Sequence, residues 1–239
     1  MTSLEQGALI TGASSGIGKA TALAFAESGF NLMLIGRSPE KLEAVADEVR
    51  QAGVVAKTLV LDLSAVEQVK ETIERAVSDF PVNVLVNNAG IGYTGELLST
   101  PLADWQQVMN LNLTSVFQCI QAVLPGMRDR RSGTIINVAS IAAHNAFAGW
   151  GAYSVSKAGL VSLSKILAAE ERPYGIRVTV VSPGSVNTPI WDTDTVHADF
   201  DRSRMLTPEI VAQSILHTAL LPPQAVVDEL VVMPSAGAL

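Results

Sequence analysis

The sequence predicts an α/β fold: a doubly wound sheet of seven parallel strands flanked by helices, in the order 3-2-1-4-5-6-7. Two observations carry this. Seven short runs rich in Val, Ile and Leu recur along the chain, and segments of helical spacing separate them. Runs that are apolar almost throughout suit strands buried on both faces. Strand alternating with helix implies βαβ units, parallel pairing and right-handed crossovers. With no internal repeat and no low-complexity linker, residues 1–239 read as one domain.

The first run, 8–11, leads into Thr11-Gly12-Ala13-Ser14-Ser15-Gly16-Ile17-Gly18, and a helix is expected from Lys19 to Ser28. The second, 31–35, precedes a helix from Pro39 to Gln51. There Ser38 can cap, Pro39 suits the first turn and Gly53 lies just past the end. Its inward face is Leu42, Val45, Ala46 and Val49. Runs at 57–61, 83–87, 134–138, 176–181 and 226–232 supply the other strands, and Asn112–Met127 and Tyr153–Ala169 read as helices. Residues 189–207 break the rhythm. In this architecture such an insertion overhangs the carboxyl ends of the strands, where ligands bind.

Composition narrows the function. With 48% apolar and 16% charged residues the chain is globular. A net charge of −7 argues against a nucleic-acid partner held through phosphates. The single cysteine, Cys119, permits no intrachain disulfide and sits in an apolar helical stretch, as a small core residue does. His144, His197 and His217 lack ligand spacing, so no metal site is expected. No run of 18 apolar residues suggests a membrane span, and the strand at 8–11 leaves no room for a secretory leader. A cytoplasmic protein is expected.

The turn at 11–18 has the spacing G-x-x-x-G-x-G between a strand and a helix. Glycines let backbone approach a pyrophosphate, and the helix amino end offers unpaired N–H groups and a positive dipole. A dinucleotide is therefore expected on Gly12, Ser14, Ser15, Gly16, Ile17 and Gly18. The second strand ends at Gly36-Arg37, where NAD sites usually place a carboxylate for the ribose 2′-hydroxyl. Here no negative charge repels a 2′-phosphate, and Arg37 can grip one, so NADP(H) is the expected cofactor. Alternatively, Arg37 is a solvated residue before a helix. Asp62, beside Leu63, either accepts from an adenine amino group or caps a local turn. Asn88, Ala89 and Gly90 end the fourth strand with small residues that let the chain pass beneath a cofactor.

Tyr153 and Lys157 stand at i and i+4 on one helix face. A tyrosine of pKa about 10 is a poor proton donor and acceptor at neutral pH, and a nearby ammonium favours the phenolate.

With these residues the chain resembles the short-chain dehydrogenase/reductase family, NADP-preferring type, over essentially its full length. The resemblance rests on the Thr11–Gly18 turn, Asp62, Asn87–Gly90, Asn112, Ser140, Tyr153, Lys157 and Pro183-Gly184. It implies a Rossmann-type fold and interconversion of a ketone or aldehyde with an alcohol by hydride transfer. It also implies roles. Tyr153 exchanges the proton, and Ser140 hydrogen-bonds the substrate oxygen. Lys157 lowers the tyrosine pKa and binds the nicotinamide ribose, and Asn112 helps hold a water. Pro183, Gly184, Val186 and Thr188 form the nicotinamide clamp, with Val186 offering backbone groups and Thr188 a hydroxyl. The substrate pocket is expected to draw on Ile141, His144, Asn145, Trp150, Val186 and residues 189–207.

Two alternatives stand beside this reading. One is 3-oxoacyl-(acyl carrier protein) reduction, for which Arg128, Arg130 and Arg131 are candidate docking residues; a solvated helix end explains them equally well. The carboxyl-terminal Asp228–Pro234 stretch departs from those reductases. The other is a non-catalytic NADP(H) sensor, against which the presence of both Tyr153 and Lys157 argues. The partners expected are a small-molecule substrate and further copies of the chain, a homotetramer before a dimer.

Overall fold

The computed structural model describes residues 6–198 and 200–237; the 1–239 domain and the 189–207 insertion each include residues outside that set. Seven parallel strands alternate with helices: β1 (Gly7–Thr11), α1 (Gly16–Glu27), β2 (Asn31–Gly36), α2 (Pro39–Gln51), β3 (Ala56–Val60), α3 (Val66–Ala76), β4 (Val84–Asn87), α4 (Leu102–Met109), α5 (Ser115–Arg130), β5 (Gly133–Val138), α6 (Gly151–Glu171), β6 (Ile176–Pro183), α7 (Pro208–Ala219) and β7 (Glu229–Val232). The sheet order is β3-β2-β1-β4-β5-β6-β7, as expected. Registers such as Leu9 beside Met33 and Leu85 set equivalent strand ends level, so the strands finish along one rim.

Strand periodicity divides the core in two. Ile10, Leu34 and Val86 join Phe25, Leu42 and Ile215 on one face, beneath α1, α2 and α7. Leu9, Ile35 and Leu85 join Ile73, Ile120 and Leu160 on the other, beneath α3, α5 and α6. Successive side chains point to opposite faces, so a central strand needs apolar residues at almost every position. Cys119 lies in the second layer, where burial pushes its thiol up to about 12.

Most element boundaries shift by one to a few residues. Helix α1 begins at Gly16 instead of Lys19, so its amino end opens directly into the glycine turn. Strand β3 starts one residue earlier than its apolar run. Strand β7 begins at Glu229, because Val226 and Val227 lie in the loop before it. That loop is fixed from below by Arg177, which donates to the carbonyls of Leu221 at 2.7 Å and Ala225 at 3.1 Å. A π-helical turn, Asn110–Thr114, joins α4 to α5 and carries Asn112.

Candidate active site

Above the strand rim lies a cleft of about 530 Å³ that runs from Arg37 past Gly12 and Tyr153 to Phe200. At its floor Thr11 stitches β1 to the end of β4. Its hydroxyl accepts from the N–H groups of Asn88 at 3.0 Å and Ala89 at 3.1 Å. Asn88 returns a bond from Nδ2 to the Thr11 carbonyl, also at 3.0 Å. Gly12 adopts a left-handed φ of +66°. A Cβ on Gly18 would stand 2.2 Å from the Gly12 carbonyl oxygen, so helix and turn approach as only glycine allows. Ser14, Ser15, Gly16 and Ile17 line the cleft, with Gly18 packed beneath them. The glycines thus let turn, helix and the end of β4 pack closely, and the helix amino end that faces the cleft offers its N–H groups to a phosphate-bearing ligand.

At the β2 end, Gly36, Arg37, Ser38 and Lys41 line the cleft. Arg37 is exposed and forms no ion pair among the described residues. The region contains two cations and no carboxylate in its wall, which fits a 2′-phosphate. Ser38 caps α2, accepting from the Lys41 N–H at 3.5 Å. Sequence reasoning missed Lys41, although its place in the first turn after Ser38 brings it to the same rim. Leu63 lines the cleft, whereas Asp62 does not. Asp62 Oδ1 accepts from the Ser64 N–H at 2.9 Å and hydroxyl at 2.8 Å. These bonds, with the Arg37 charge adding to them, hold its carboxyl below the usual range. The local turn cap is the reading its geometry favours.

Tyr153 and Lys157 project from the first two turns of α6 into the middle of the cleft. Ser140 follows β5, and its Oγ accepts from the Ala142 N–H at 3.1 Å, capping the 3₁₀ turn Ile141–Ala143. The Ser140 hydroxyl lies close enough to the Tyr153 phenol to favour its ionised form. Lys157 Nζ donates to the Val138 carbonyl at 2.9 Å and lies 5.8 Å from the Tyr153 ring centre. Burial dominates both titrations. It pushes the phenol above its ordinary value, partly offset by Ser140, and lowers Lys157 to about 8. The expected lowering of the phenol by Lys157 is not what sets its shift: burial raises it, and the opposing influence is that of Ser140.

Asn112 is fully buried and does not line the cleft. Its amide accepts from the Ile91 N–H at 2.9 Å and donates to the Ile91 carbonyl at 3.0 Å. It also donates to Ser156 Oγ at 3.1 Å, and Ser156 donates to the Tyr153 carbonyl at 2.7 Å. The side chain therefore braces Ile91 and the Tyr153 turn, and Ser156, which sequence reasoning missed, completes that brace. Gly90 lies over both groups: a Cβ there would stand 3.1 Å from Asn112 Oδ1 and 3.5 Å from Lys157 Nζ.

Pro183, Gly184, Val186 and Thr188 line the cleft opposite the glycine turn. The Val186 carbonyl accepts from Trp191 Nε1 at 2.7 Å, leaving its N–H as the group that can serve a ligand. Ile141, Trp150 and Val186 reach the cleft, but His144 and Asn145 do not. His144 Nε2 instead lies 2.7 Å from Glu229 Oε1 and 3.3 Å from Ser182 Oγ, behind the wall. The three arginines proposed for docking are also committed. Arg128 pairs with buried Glu171 through two hydrogen bonds and stacks on Tyr174. Arg130 donates to the Val82 carbonyl and Arg131 to that of Pro173, each at 2.7 Å.

The family model described as short chain dehydrogenase matches residues 6–198. The chain is 40% identical over 185 residues to the 3-oxoacyl-(acyl-carrier-protein) reductase FabG of Staphylococcus epidermidis, covering 77% of this chain and 76% of that one. An alcohol dehydrogenase from Thermococcus sibiricus, complexed with 5-hydroxy-NADP, superposes with a TM-score of 0.88 at 29% identity over 97% of both chains. A metagenomic short-chain oxidoreductase in complex with NADP gives 0.85 at 32% identity, over 98% of this chain and 99% of that one.

Proposed function

This chain belongs to the short-chain dehydrogenase/reductase family, and on that premise we propose how its own residues divide the work of interconverting a carbonyl and an alcohol. The cofactor is NADP(H), held with its pyrophosphate on the Gly12–Gly18 turn and its 2′-phosphate between Arg37 and Lys41. When bound, NADPH supplies the hydride that reduces the carbonyl carbon. Tyr153 gives its hydroxyl proton to the carbonyl oxygen, and Ser140 donates a hydrogen bond to the same atom, so developing charge meets donors already in place. Lys157, lowered by burial to about 8, supplies as its ammonium form the positive field that eases this proton transfer. Asn112 and Ser156 hold the Tyr153 turn at its angle. The Val186 N–H and the Thr188 hydroxyl serve the nicotinamide carboxamide.

One observation carries this reading: Ser140, Tyr153 and Lys157 converge in the same cleft as the glycine turn. The test is NADPH oxidation against a panel of ketones, aldehydes, sugars and acetoacetyl thioesters. Turnover of none of them would refute it.

The 3-oxoacyl reading keeps the support of a relative's activity at 40% identity. The commitment of Arg128, Arg130 and Arg131 to structural bonds weighs against a carrier docking there. We also propose a cytoplasmic homotetramer. No helix among the described residues is long and apolar enough to cross a membrane. Two separate exposed apolar areas support two symmetric interfaces: Phe117, Val155 and Ile166 on α5 and α6, and Ile210, Leu220 and Val231 around α7 and β7. A monomeric mass by light scattering at micromolar concentration would refute the oligomer.

A further inference from the structure

Beyond Tyr153 the cleft continues into a chamber walled by aromatic rings. Trp150 meets Tyr153 with ring centres 5.5 Å apart and planes at 67°. Trp150 in turn meets Trp191 at 5.9 Å and 71°, and Trp191 meets Phe200 at 5.4 Å and 81°. Each contact is edge-to-face, so the rings form a ladder leading outward from the proton donor. Phe147, Ile190 and Val196 add apolar surface to the cleft wall. The charged side chains lining the whole cleft are Arg37 and Lys41 at the adenosine end and Lys157 beneath the reacting atoms. Among the described residues none charges the chamber.

The wall is also held rigid. Arg202 donates to Asn187 Oδ1 at 2.8 Å, to Asp192 Oδ1 at 2.6 Å and to the Thr188 carbonyl at 3.0 Å. Thr195 donates to the Gly92 carbonyl at 2.7 Å, and the Trp191 indole is anchored on Val186. An apolar chamber that keeps its shape discriminates by size and by ring stacking.

We propose that the substrates are ketones whose carbonyl carries an aromatic or bulky apolar group, which takes the next place on the Tyr153–Trp150–Trp191–Phe200 ladder. Sugars, carboxylates and carrier-bound thioesters fit it badly, because each would bury polar or charged groups among rings that offer no partner. This inference rests on the reading of the cleft as a carbonyl-reducing site.

The test compares kcat/KM with NADPH for 2-acetonaphthone, acetophenone, 2-butanone, xylose and an acetoacetyl N-acetylcysteamine thioester. The aryl ketones should exceed 2-butanone by about tenfold or more, from ring stacking and added apolar burial. Phe200→Leu, which keeps the bulk and breaks no hydrogen bond, should lower the aryl-to-butanone ratio at least about threefold, and Trp191→Ala should lower it further. Binding of 2-acetonaphthone should quench tryptophan fluorescence in wild type and less so in Trp191→Ala. If 2-butanone, xylose or the thioester is the best substrate, the chamber proposal falls and the carbonyl-reducing reading stands. If no carbonyl is reduced, both fall. An unchanged ratio in both variants also overturns the proposal.

Discussion

Trp191 donates its indole N–H to the Val186 carbonyl at 2.7 Å, joining the chamber wall to the loop expected to hold the nicotinamide. Substrate wall and cofactor clamp are thereby one piece of structure. Trp191→Phe keeps an aromatic ring but leaves that carbonyl without its partner, a loss of about 0.5–1.5 kcal/mol for a part-buried bond. KM for NADPH should rise about two- to tenfold in a variant altered on the substrate side. An unchanged cofactor KM would show that wall and clamp move independently.

Tyr153→Phe preserves ring packing against Trp150 and removes the exchangeable proton. The expected fall in kcat is about a hundredfold to ten-thousandfold, the usual worth of a positioned acid or base. NADPH affinity, followed by fluorescence, should stay within about twofold. Retention of more than a few per cent of kcat would remove Tyr153 from the mechanism.

Cofactor choice is decided at the β2 rim. Arg37→Ala should cost NADPH about tenfold in kcat/KM, with Lys41→Ala adding a smaller loss, because each removes a charge-assisted contact to the 2′-phosphate. Gly36→Asp with Arg37→Val should invert the preference, since the carboxylate accepts from a 2′-hydroxyl and repels a phosphate. A Cβ at 36 meets Leu42 Cδ1 at 3.2 Å, the movable end of a side chain, so the variant can fold. A wild type that favours NADH would overturn the assignment.

Lys157 gives the fold a pH signature. It releases its proton near pH 8 in the native chain and near 10.5 when unfolded. Between those values the unfolded chain binds more protons, so this residue makes stability rise with pH. The slope approaches about 1.4 kcal/mol per unit. Tyr153, shifted upward, opposes it only above about pH 10. Between pH 8 and 9.5, wild type should lose Tm more slowly than Lys157→Met by roughly 3–5 °C per unit, at one protein concentration. Parallel curves would refute the shift.

Arg128→Ala leaves the Glu171 carboxylate buried and unpaired. The cost should exceed that of an ordinary surface pair, because the Glu171 carboxylate is fully buried, and fall short of a wholly buried pair, because Arg128 keeps an exposed flank. A Tm loss of roughly 5–10 °C should follow. If activity on a carrier-bound acetoacetyl group falls while Tm holds, Arg128 is a docking residue after all.

Much of this was legible in the residue order, and the remainder failed for physical reasons. Central strands are apolar almost throughout, so β1, β4 and β5 announce themselves despite the buried Thr11, Asn87, Thr134 and Asn137. Val226 and Val227 are equally apolar yet belong to a loop, because the guanidinium of Arg177 gathers the carbonyls around them. The early start of α1 was hidden by glycines, which are poor helix formers in isolation. Tyr153, Lys157 and Ser140, singled out by the sequence, line one cleft. Their electrostatics were not foreseeable, because burial depends on the walls that other segments build. The bonds of Asn112 to Ile91 and Ser156 are a tertiary fact no spacing encodes. His144 and Asn145 neighbour the right turn in sequence but lie outside the cleft wall.

The Thr11 hydroxyl has a consequence for biosynthesis. It receives N–H groups from residues 77 and 78 positions later in the chain. A nascent chain that has made only the glycine turn therefore has half a grip. The floor beneath it closes when β4 has emerged and slotted in beside β1, in the middle of the sheet. NADP(H) should then bind late and reward only correctly threaded molecules, stabilising them by mass action.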